Sequence, residues 1–315
     1  MKVKVYFYNV IFTLLIGLSH CLAYAIVYTL PEGSNRLVGK NLEVVTPKNN
    51  IHSLEFFSEW FQVGISNMLE ANPDVDVYLP DSEKKLIIPH QLILPKTPHL
   101  GIVINSAEMR LYYYPANSNT VITLPIAIGT IENATPYYWI TSVKHKKKNP
   151  IWIPTKNMRD EYIKRGEVLP TIFPAGSNNP MGLYALYLGQ NYAIHGTNSN
   201  FGIGLRVTRG CIRLRPKDIE FLFKIVPVGT KVQFINEPIK STIETNGMQY
   251  LEVHNPLSHD KEENHFNTST AIAYLKKKIS SILIDDTNID YKIVNEALEN
   301  RSGIPINITR KLSKN

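Results

Sequence analysis

The chain has 315 residues, of which 43% are hydrophobic and 19% are charged, and its formal net charge is +7. This composition excludes a disordered or low-complexity chain and predicts one large domain with a smaller one, each with its own core. The charge excess is too small to indicate a nucleic-acid-binding protein.

The first 25 residues have the pattern of a cleavable export signal. Lys2 and Lys4 precede an apolar stretch at Ile11–Leu18, and Ala23-Tyr24-Ala25 has the small-x-small pattern that signal peptidase cuts after. The apolar stretch is shorter than the roughly 20 residues that span a bilayer, so an uncleaved anchor is the weaker alternative. A lipoprotein cleavage box at Leu18-Ser-His-Cys21 is a further, minor alternative. We predict an exported protein without stable membrane insertion.

Cleavage after Ala25 leaves Cys211 as the only cysteine. The sequence has two cysteines, and Cys21 is lost with the signal. Most structural cysteines in an oxidising compartment are paired, so a single one indicates a reactive thiol.

Residues 42–90 predict a compact unit with the order strand, helix, helix, strand. The four elements lie at Leu42–Val45, Leu54–Phe61, Ile65–Ala71 and Lys85–Pro89. Asn72-Pro73 closes the second helix, because proline cannot continue it. The unit resembles a LysM module, a small carbohydrate-binding repeat of wall enzymes, with Lys48-Asn49-Asn50 in place of the usual Gly-Asp. A helical spacer without a ligand is the alternative.

From Gly101 onward the chain consists mainly of short β-rich runs separated by turn residues, which predicts a mostly β domain. The predicted strands are Gly101–Asn105, Met109–Tyr114, Val121–Ile128, Tyr184–Leu188, Tyr192–His195, Val207–Leu214 and Lys231–Ile235. A helix predicted at Asp218–Ile225 packs beneath the site. Beyond Asn236 the chain is more polar, with a flexible connection near 260–268 and a last helix at Ile289–Asn300.

A long proline-rich connection at Thr141–Ser177 interrupts the strands. Connections of this length are functional lids or disordered insertions, and Trp152 between two prolines favours an ordered lid. Trp152 is therefore a candidate substrate contact. The basic cluster at Lys144–Lys148 is typical of a solvated face, and we assign it no specific role.

Cys211 lies in a run of arginines, Arg206-Val-Thr-Arg-Gly-Cys-Ile-Arg-Leu-Arg215. If this run is extended, side chains alternate faces, and Arg209 and Arg213 flank the sulfur. Their charge would lower the thiol pKa, but arginine does not give up its proton and cannot be the base.

His195 is the candidate base, since it ends a predicted strand shortly before the cysteine. A hairpin-like return would bring His195 and Cys211 together as base and nucleophile. The carbonyl of Gly196 is a candidate for orienting the imidazole. Gly210 permits a tight turn whose amide groups would stabilise an oxyanion. One cysteine and one histidine fall short of a metal site, and no cofactor is predicted.

His195-Gly-Thr followed by Thr208-Arg-Gly-Cys-Ile-Arg213 resembles the signature of L,D-transpeptidases with a YkuD-type catalytic domain. The resemblance extends through Ile102–Tyr114 and Asn179–Ala185, and is nearest to the ErfK/YbiS group of enterobacterial periplasm. It implies an α+β protein: a βααβ LysM-like module, then a sandwich-like, mixed-sheet catalytic domain with a supporting helix. The implied boundaries are residues 1–25 for the signal, 42–90 for the LysM-like module, 99–236 for the catalytic domain and 237–315 for a C-terminal extension.

By that resemblance, Cys211 attacks the meso-diaminopimelate carbonyl of a peptidoglycan tetrapeptide stem in the Gram-negative periplasm. D-Alanine leaves, and the thioester passes to an amine, typically the C-terminal lysine of Braun's lipoprotein. Other members join two diaminopimelate residues. A hydrolase of the same fold and a non-catalytic wall-binding protein are the remaining alternatives.

Two positions depart from the family pattern. Arg209 stands where many members have histidine, so a proton-shuttling role is not carried over. Arg209 is instead a candidate for lowering the thiol pKa or binding a substrate carboxylate. Arg213 stands where many members outside this group have asparagine, and is a candidate for holding the carboxylate of D-alanine or diaminopimelate.

Overall fold

The computed structural model of the chain describes residues 25–258, 268–283 and 287–310. The predicted export signal, apart from Ala25, lies outside these ranges, as does most of the connection predicted near 260–268. Within the described ranges, no helix is long and apolar enough to cross a membrane.

The predicted strand-helix-helix-strand unit is present. Its elements are β3 (Leu42–Val45), α1 (Leu54–Trp60), α2 (Ile65–Ala71) and β4 (Lys85–Ile88). The two strands pair antiparallel. Helix α1 begins after Ser53, whose hydroxyl accepts from the Phe56 N–H, and α2 ends at Asn72, whose side chain bonds to Met68 and Ile87. These caps fix the helix ends around a small apolar core that includes Leu54, Phe57, Met68, Leu86 and Ile88.

A six-stranded mixed sheet forms the centre of the molecule. Its order is β1 (Ile26–Thr29), β8 (Thr120–Pro125), β7 (Arg110–Tyr114), β6 (Gly101–Asn105), β16 (Lys231–Ile235) and β10 (Trp139–Ser142). Within this sheet, only β6 and β16 pair in parallel. One face is covered by the short pair β2 (Leu37–Val38) and β5 (Leu92–Ile93). Since both faces are covered, all five residues of β6 are buried.

The other face of this sheet shares a core with a four-stranded sheet and a helix. The second sheet has the order β11 (His145–Lys148), β12 (Tyr184–Gly189), β13 (Tyr192–His195) and β15 (Ile212–Arg213). The helix is α4 (Pro216–Ile225), which agrees with the supporting helix predicted beneath the site.

Two predicted strands are divided in the structure. Val121–Ile128 becomes β8 and the two-residue β9 (Ile128–Gly129). The run Val207–Leu214 becomes β14 (Arg206–Thr208), which pairs with β9, and β15. Gly210 separates β14 from β15 with a φ of +99°, a left-handed conformation that no extended strand contains. The prediction of one unbroken strand through the cysteine was therefore wrong.

The C-terminal part is a folded unit with its own core. It contains β17 (Ile239–Ile243), β18 (Gln249–Val253), β19 (Ile306–Asn307), α5 (Thr268–Ile279) and α6 (Tyr291–Asn300). The last helix starts two residues later than predicted, because Asp290 accepts from the N–H groups of Lys292 and Ile293 as the N-cap and Ile289 bridges to Thr309.

A buried ionic cluster joins the C-terminal unit to the central sheet. Lys240 Nζ lies 2.9 Å from Glu108 Oε1 and 3.0 Å from Glu252 Oε1, and Arg110 is 2.8 Å from Glu108. Burial raises the pKa of Glu108, but the charges of Lys240 and Arg110 outweigh it and lower the pKa to about 2. Glu108, Glu252 and His254 bring together side-chain atoms of the kind that bind metal ions. Here the ammonium group of Lys240 lies against the two carboxylates.

The same cluster reaches the βααβ unit through His254. Its Nδ1 lies 2.7 Å from Glu70 on α2, and its Nε2 lies 2.8 Å from Glu252. Burial alone would lower the pKa of His254, but the charge of Glu70 and the bonds to both carboxylates raise it to about 9. His254 is thus a cation at neutral pH that links the N-terminal and C-terminal units.

Candidate active site

Parallel pairing of β13 with β15 sets the geometry of the site. Ile194 pairs with Ile212 and both face the core. Because side chains alternate along a strand, Ala193, His195, Cys211 and Arg213 share the opposite face. Cys211 lies beside Ala193, two residues or about 7 Å along the strands from His195. The predicted hairpin-like return is wrong, because the chain crosses over and re-enters in the same direction.

The Cys211 thiol is partly buried and uncharged at rest. Burial raises its pKa, which outweighs the opposing effects of a hydrogen bond from the Ala193 backbone and the charge of Arg213. The thiol donates toward the carbonyl of Asn191, with an Sγ···O distance of 3.6 Å. A neutral thiol is a poor nucleophile, so the site needs a base.

His195 is held as a neutral imidazole. Its Nδ1 donates to the carbonyl of Gly196 at 2.6 Å, and in this tautomer the lone pair is on Nε2. Burial lowers the pKa of His195 to about 4, assisted by the Arg213 charge and opposed by backbone bonds to Gly196 and Met181. A neutral imidazole with an available Nε2 is the form that accepts a proton.

Among the described contacts, the thiol and the imidazole are not hydrogen-bonded to each other. Catalytic hydrogen bonds are often long in enzymes without substrate and tighten in the complex. The shared face of β13 and β15 keeps both groups on the same side of the sheet. Proton transfer therefore requires the Cys211 side chain to turn from the Asn191 carbonyl toward His195.

The turn before the nucleophile is fixed by two threonines. Thr208 Oγ1 donates to the Cys211 carbonyl at 2.6 Å, and Thr135 Oγ1 donates to the Gly210 carbonyl at 2.9 Å. A Cβ on Gly210 would also lie 3.0 Å from the Tyr192 ring. With both carbonyls bound, the peptide planes around the cysteine have a defined orientation.

Gly196 provides close contact between the site and its supporting helix. A Cβ at this position would lie 2.8 Å from Ile219 Cγ2 on α4. Only glycine therefore allows α4 to pack directly under the residue that orients His195. The sequence indicated a carbonyl contact from Gly196 but not this packing requirement.

The two arginines next to the cysteine have different surroundings. The charge of Arg213 acts on both Cys211 and His195. Arg209 instead forms an ion pair with Glu161, with NH2 2.6 Å from Oε2. The expectation that two guanidinium groups flank the sulfur is corrected, since the φ of Gly210 breaks the alternation on which it rested.

The predicted lid is an ordered segment, but it begins later than expected. Thr141 and Ser142 end β10, and residues 145–148 of the basic cluster form β11, the edge strand of the second sheet. Lys146 is half-buried and donates to the carbonyls of Phe223 and Val226 at the end of α4, whereas the other four residues of the cluster are exposed, as predicted for a solvated face. The lid itself follows Lys148.

Trp152 anchors the lid over the site. Its backbone forms two hydrogen bonds with Phe173, and its ring packs with Cys211 against a small cluster of Met181, Ala185 and Ala193. The amide of Asn179 donates to the carbonyls of Pro150 and Pro174, both at 3.0 Å, which ties the lid ends together. The lid also contains α3 (Lys156–Lys164), a helix with no buried side chain.

Sequence reasoning missed several residues of the site. Thr135 and Glu161 lie far from the cysteine in sequence, and no local pattern marks them. Tyr187 could have been found from its strand register, because it pairs with Ala193 beside Cys211. Burial and the nearby Cys211 raise the pKa of Tyr187. A cleft of about 380 Å³ lies elsewhere, where α2 meets Asn255–Leu257 and Arg301, and none of the predicted site residues lines it.

Comparison with known proteins gives consistent matches over most of the chain. Residues 100–234 match the family model of the L,D-transpeptidase catalytic domain (YkuD), and residues 238–308 match that of the L,D-transpeptidase C-terminal domain (Ldt_C). Neither match covers the βααβ unit.

Curated relatives match at nearly full length. The Probable L,D-transpeptidase YbiS of Escherichia coli strain K12 is 53% identical over 286 residues, covering 91% of this chain and 93% of the relative. The Probable L,D-transpeptidase ErfK/SrfK of Salmonella typhimurium strain LT2 is 52% identical over 285 residues, covering 90% and 92%. The Probable L,D-transpeptidase YcfS of E. coli K12 is 43% identical over 293 residues, covering 91% and 90%.

Proposed function

The chain belongs to the L,D-transpeptidase family, and we propose that Cys211 and His195 act in it as nucleophile and general base. The observation that supports this assignment is the shared face of β13 and β15, which places a neutral thiol and a neutral imidazole on the same side of the sheet, about 7 Å apart along the strands. Peptidoglycan is the substrate class that the family implies.

The first half-reaction forms a thioester. His195 Nε2 takes the Cys211 proton, and the sulfur attacks the diaminopimelate carbonyl of a tetrapeptide stem. Amide groups of the turn at Gly210 stabilise the oxyanion. The C–N bond to D-alanine then breaks, and its amine leaves with the proton that His195 held.

The second half-reaction transfers the acyl group to an amine. The amine nitrogen attacks the thioester carbonyl and forms a C–N bond while His195 accepts its proton. The C–S bond then breaks, and the proton passes from His195 to the sulfur, which restores the thiol. We infer that the acceptor is the C-terminal lysine of a lipoprotein such as Braun's, a proposal supported by the resemblance to the ErfK/YbiS group. A second diaminopimelate or water would attack the same thioester.

The βααβ unit and the N-terminal segment support a location in the cell wall. We propose that residues 1–25 direct export to the periplasm and that the LysM-like unit contacts glycan. Its exposed aromatic side chains include Phe56 and Trp60. Aromatic faces of this kind bind sugar rings in many proteins, which supports the proposal.

Intact-protein mass spectrometry tests the function. The wild-type chain, incubated with a disaccharide tetrapeptide, should gain the mass of the disaccharide-tripeptide acyl group, and Cys211→Ala should not. A lysine-terminated peptide should then remove the adduct and yield a crosslinked product. Absence of an adduct with a reactive thiol would reject the transpeptidase; thioester loss only to water would indicate the hydrolase. A non-catalytic wall-binding protein predicts binding without either product.

Arg213→Lys should raise the donor KM by about tenfold with a smaller change in kcat. The guanidinium group can bind a carboxylate with two parallel hydrogen bonds, which the ammonium group cannot reproduce. Steady-state kinetics with the tetrapeptide donor measures the effect. Arg165→Lys, on the lid, is the control and should be neutral. Unchanged kinetics for Arg213→Lys would reject substrate binding by this residue.

A further inference from the structure

Glu161 on the lid helix places a carboxylate on Arg209, two residues before the nucleophile. We propose that Arg209 is a binding site for the donor's free side-chain carboxylate and that Glu161 occupies this site in the resting enzyme. The proposal rests on the function above, and adds to it a substrate-recognition site and an internal competitor.

The ion pair is not needed to hold the fold together. The side chains of Arg209 and Glu161 are 26% and 43% exposed, and exposed pairs of this kind contribute little to stability. Helix α3, which carries Glu161, has no buried residue. A carboxylate held only by such a contact can be exchanged for another carboxylate.

Arg209 is well placed to receive a ligand because its backbone is fixed while its side chain has spare donors. The turn is held by Thr208 and Thr135. The guanidinium group has five N–H donors, and only NH2 contacts Glu161 among the described bonds. A substrate carboxylate can therefore bind bidentately where Glu161 binds through one nitrogen.

The two arginines fit the two donor carboxylates that belong to the residues on either side of the scissile bond. Arg213 pairs with His195 across β13 and β15, whereas Arg209 lies before the turn at Gly210 and pairs with Glu161 on the lid. In a tetrapeptide stem, the D-alanine carboxylate is next to the scissile bond. The second carboxylate of diaminopimelate is at the far end of its side chain. Arg213 corresponds to the near position and Arg209 to the far one.

Calorimetric titration tests the proposal in the Cys211→Ala background, where binding is measured without turnover. The probes are a tetrapeptide donor with a free side-chain carboxylate and the same donor amidated there. Glu161→Gln should tighten binding of the free-acid donor by about two- to fivefold, the range that loss of an exposed ion pair allows, and leave the amidated donor unchanged. Arg209→Gln should weaken binding of the free-acid donor to the level of the amidated one.

Asp160→Asn is the matched control. Asp160 lies on the same helix and pairs with Lys156 rather than with Arg209, so its replacement removes the same charge and should change neither affinity. In a double variant, Arg209→Gln should abolish the gain from Glu161→Gln.

Three results would overturn the proposal: weaker binding in Glu161→Gln, an equal gain for both donors, or an equal gain in Asp160→Asn. Weaker binding would mean that the ion pair holds the lid in its binding position. None of these affects the thioester assay with the wild-type chain. Conversely, failure to form a thioester with normal donor binding would reject the catalytic function and leave the carboxylate site in place.

Discussion

His195→Gln is expected to lower kcat/KM by about a hundred- to ten-thousandfold, the usual contribution of a general base. Glutamine keeps a polar side chain but cannot accept the thiol proton. Because burial raises the pKa of Cys211, few thiols ionise unaided at neutral pH. The residual activity should therefore depend on the thiolate fraction and rise about tenfold per pH unit until the thiol is ionised.

The activity of the wild-type enzyme should not rise with pH near neutrality. The pKa of His195 is lowered to about 4, so its basic form is present above that pH and is lost as the pH falls through about 4. The profile should be flat near neutrality. His99→Gln is the control, since His99 is exposed and stacks on Tyr114 of the central sheet, away from the site. A flat profile in His195→Gln would show that another group takes the proton.

Lys240→Met is expected to lower the free energy of unfolding by about 3–5 kcal/mol, the effect of removing one partner from a buried ionic group. Glu108 and Glu252 would lose the ammonium group between them and repel each other. Thermal unfolding monitored by circular dichroism measures the loss. Lys85→Met, which breaks an exposed pair with Glu43, should cost less than about 1 kcal/mol.

The pH dependence gives this prediction a distinctive signature. Without Lys240, the folded-state pKa of the two carboxylates should rise, so protonation at mildly acidic pH should restore part of the stability. The difference between Lys240→Met and wild type should therefore shrink as the pH falls. In the wild-type chain, His254 has a raised pKa of about 9, so its contribution is complete below about 6.5 and is lost as the pH rises through about 9. A Lys240→Met protein within about 1 kcal/mol of wild type would contradict the assigned role of the cluster.

Local patterns predicted much of the fold. The βααβ order, most strands and the helix beneath the site follow from hydrophobic periodicity and from Asn72-Pro73, and the structure confirms them. The family was also identified from the residues around His195 and Cys211, and the full-length relatives confirm it. The roles of the individual site residues stay predictions.

The errors have specific physical causes. Alternation around Cys211 assumes an unbroken strand, and the left-handed φ of Gly210 is not encoded in the types of its neighbours. The parallel pairing of β13 with β15 depends on tertiary packing of the crossover between them. Lysine is usually a surface residue, yet Lys146 donates to a carbonyl and Lys240 pairs with a carboxylate, both far away in sequence. The glycine before the cysteine indicated a turn but not where Arg209 would point.

The position of Lys240 has a consequence for the order in which the chain can fold during synthesis. Glu108 is made early together with Arg110, and its second counter-charge, Lys240, emerges only after the catalytic strands are complete. Strand β16, which fills the sheet between β6 and β10, is also made late. An N-terminal fragment would have Arg110 beside Glu108 but not the ammonium group of Lys240, and its sheet would have an open edge. We therefore expect the central sheet to complete its folding only after β16 and Lys240 have left the ribosome.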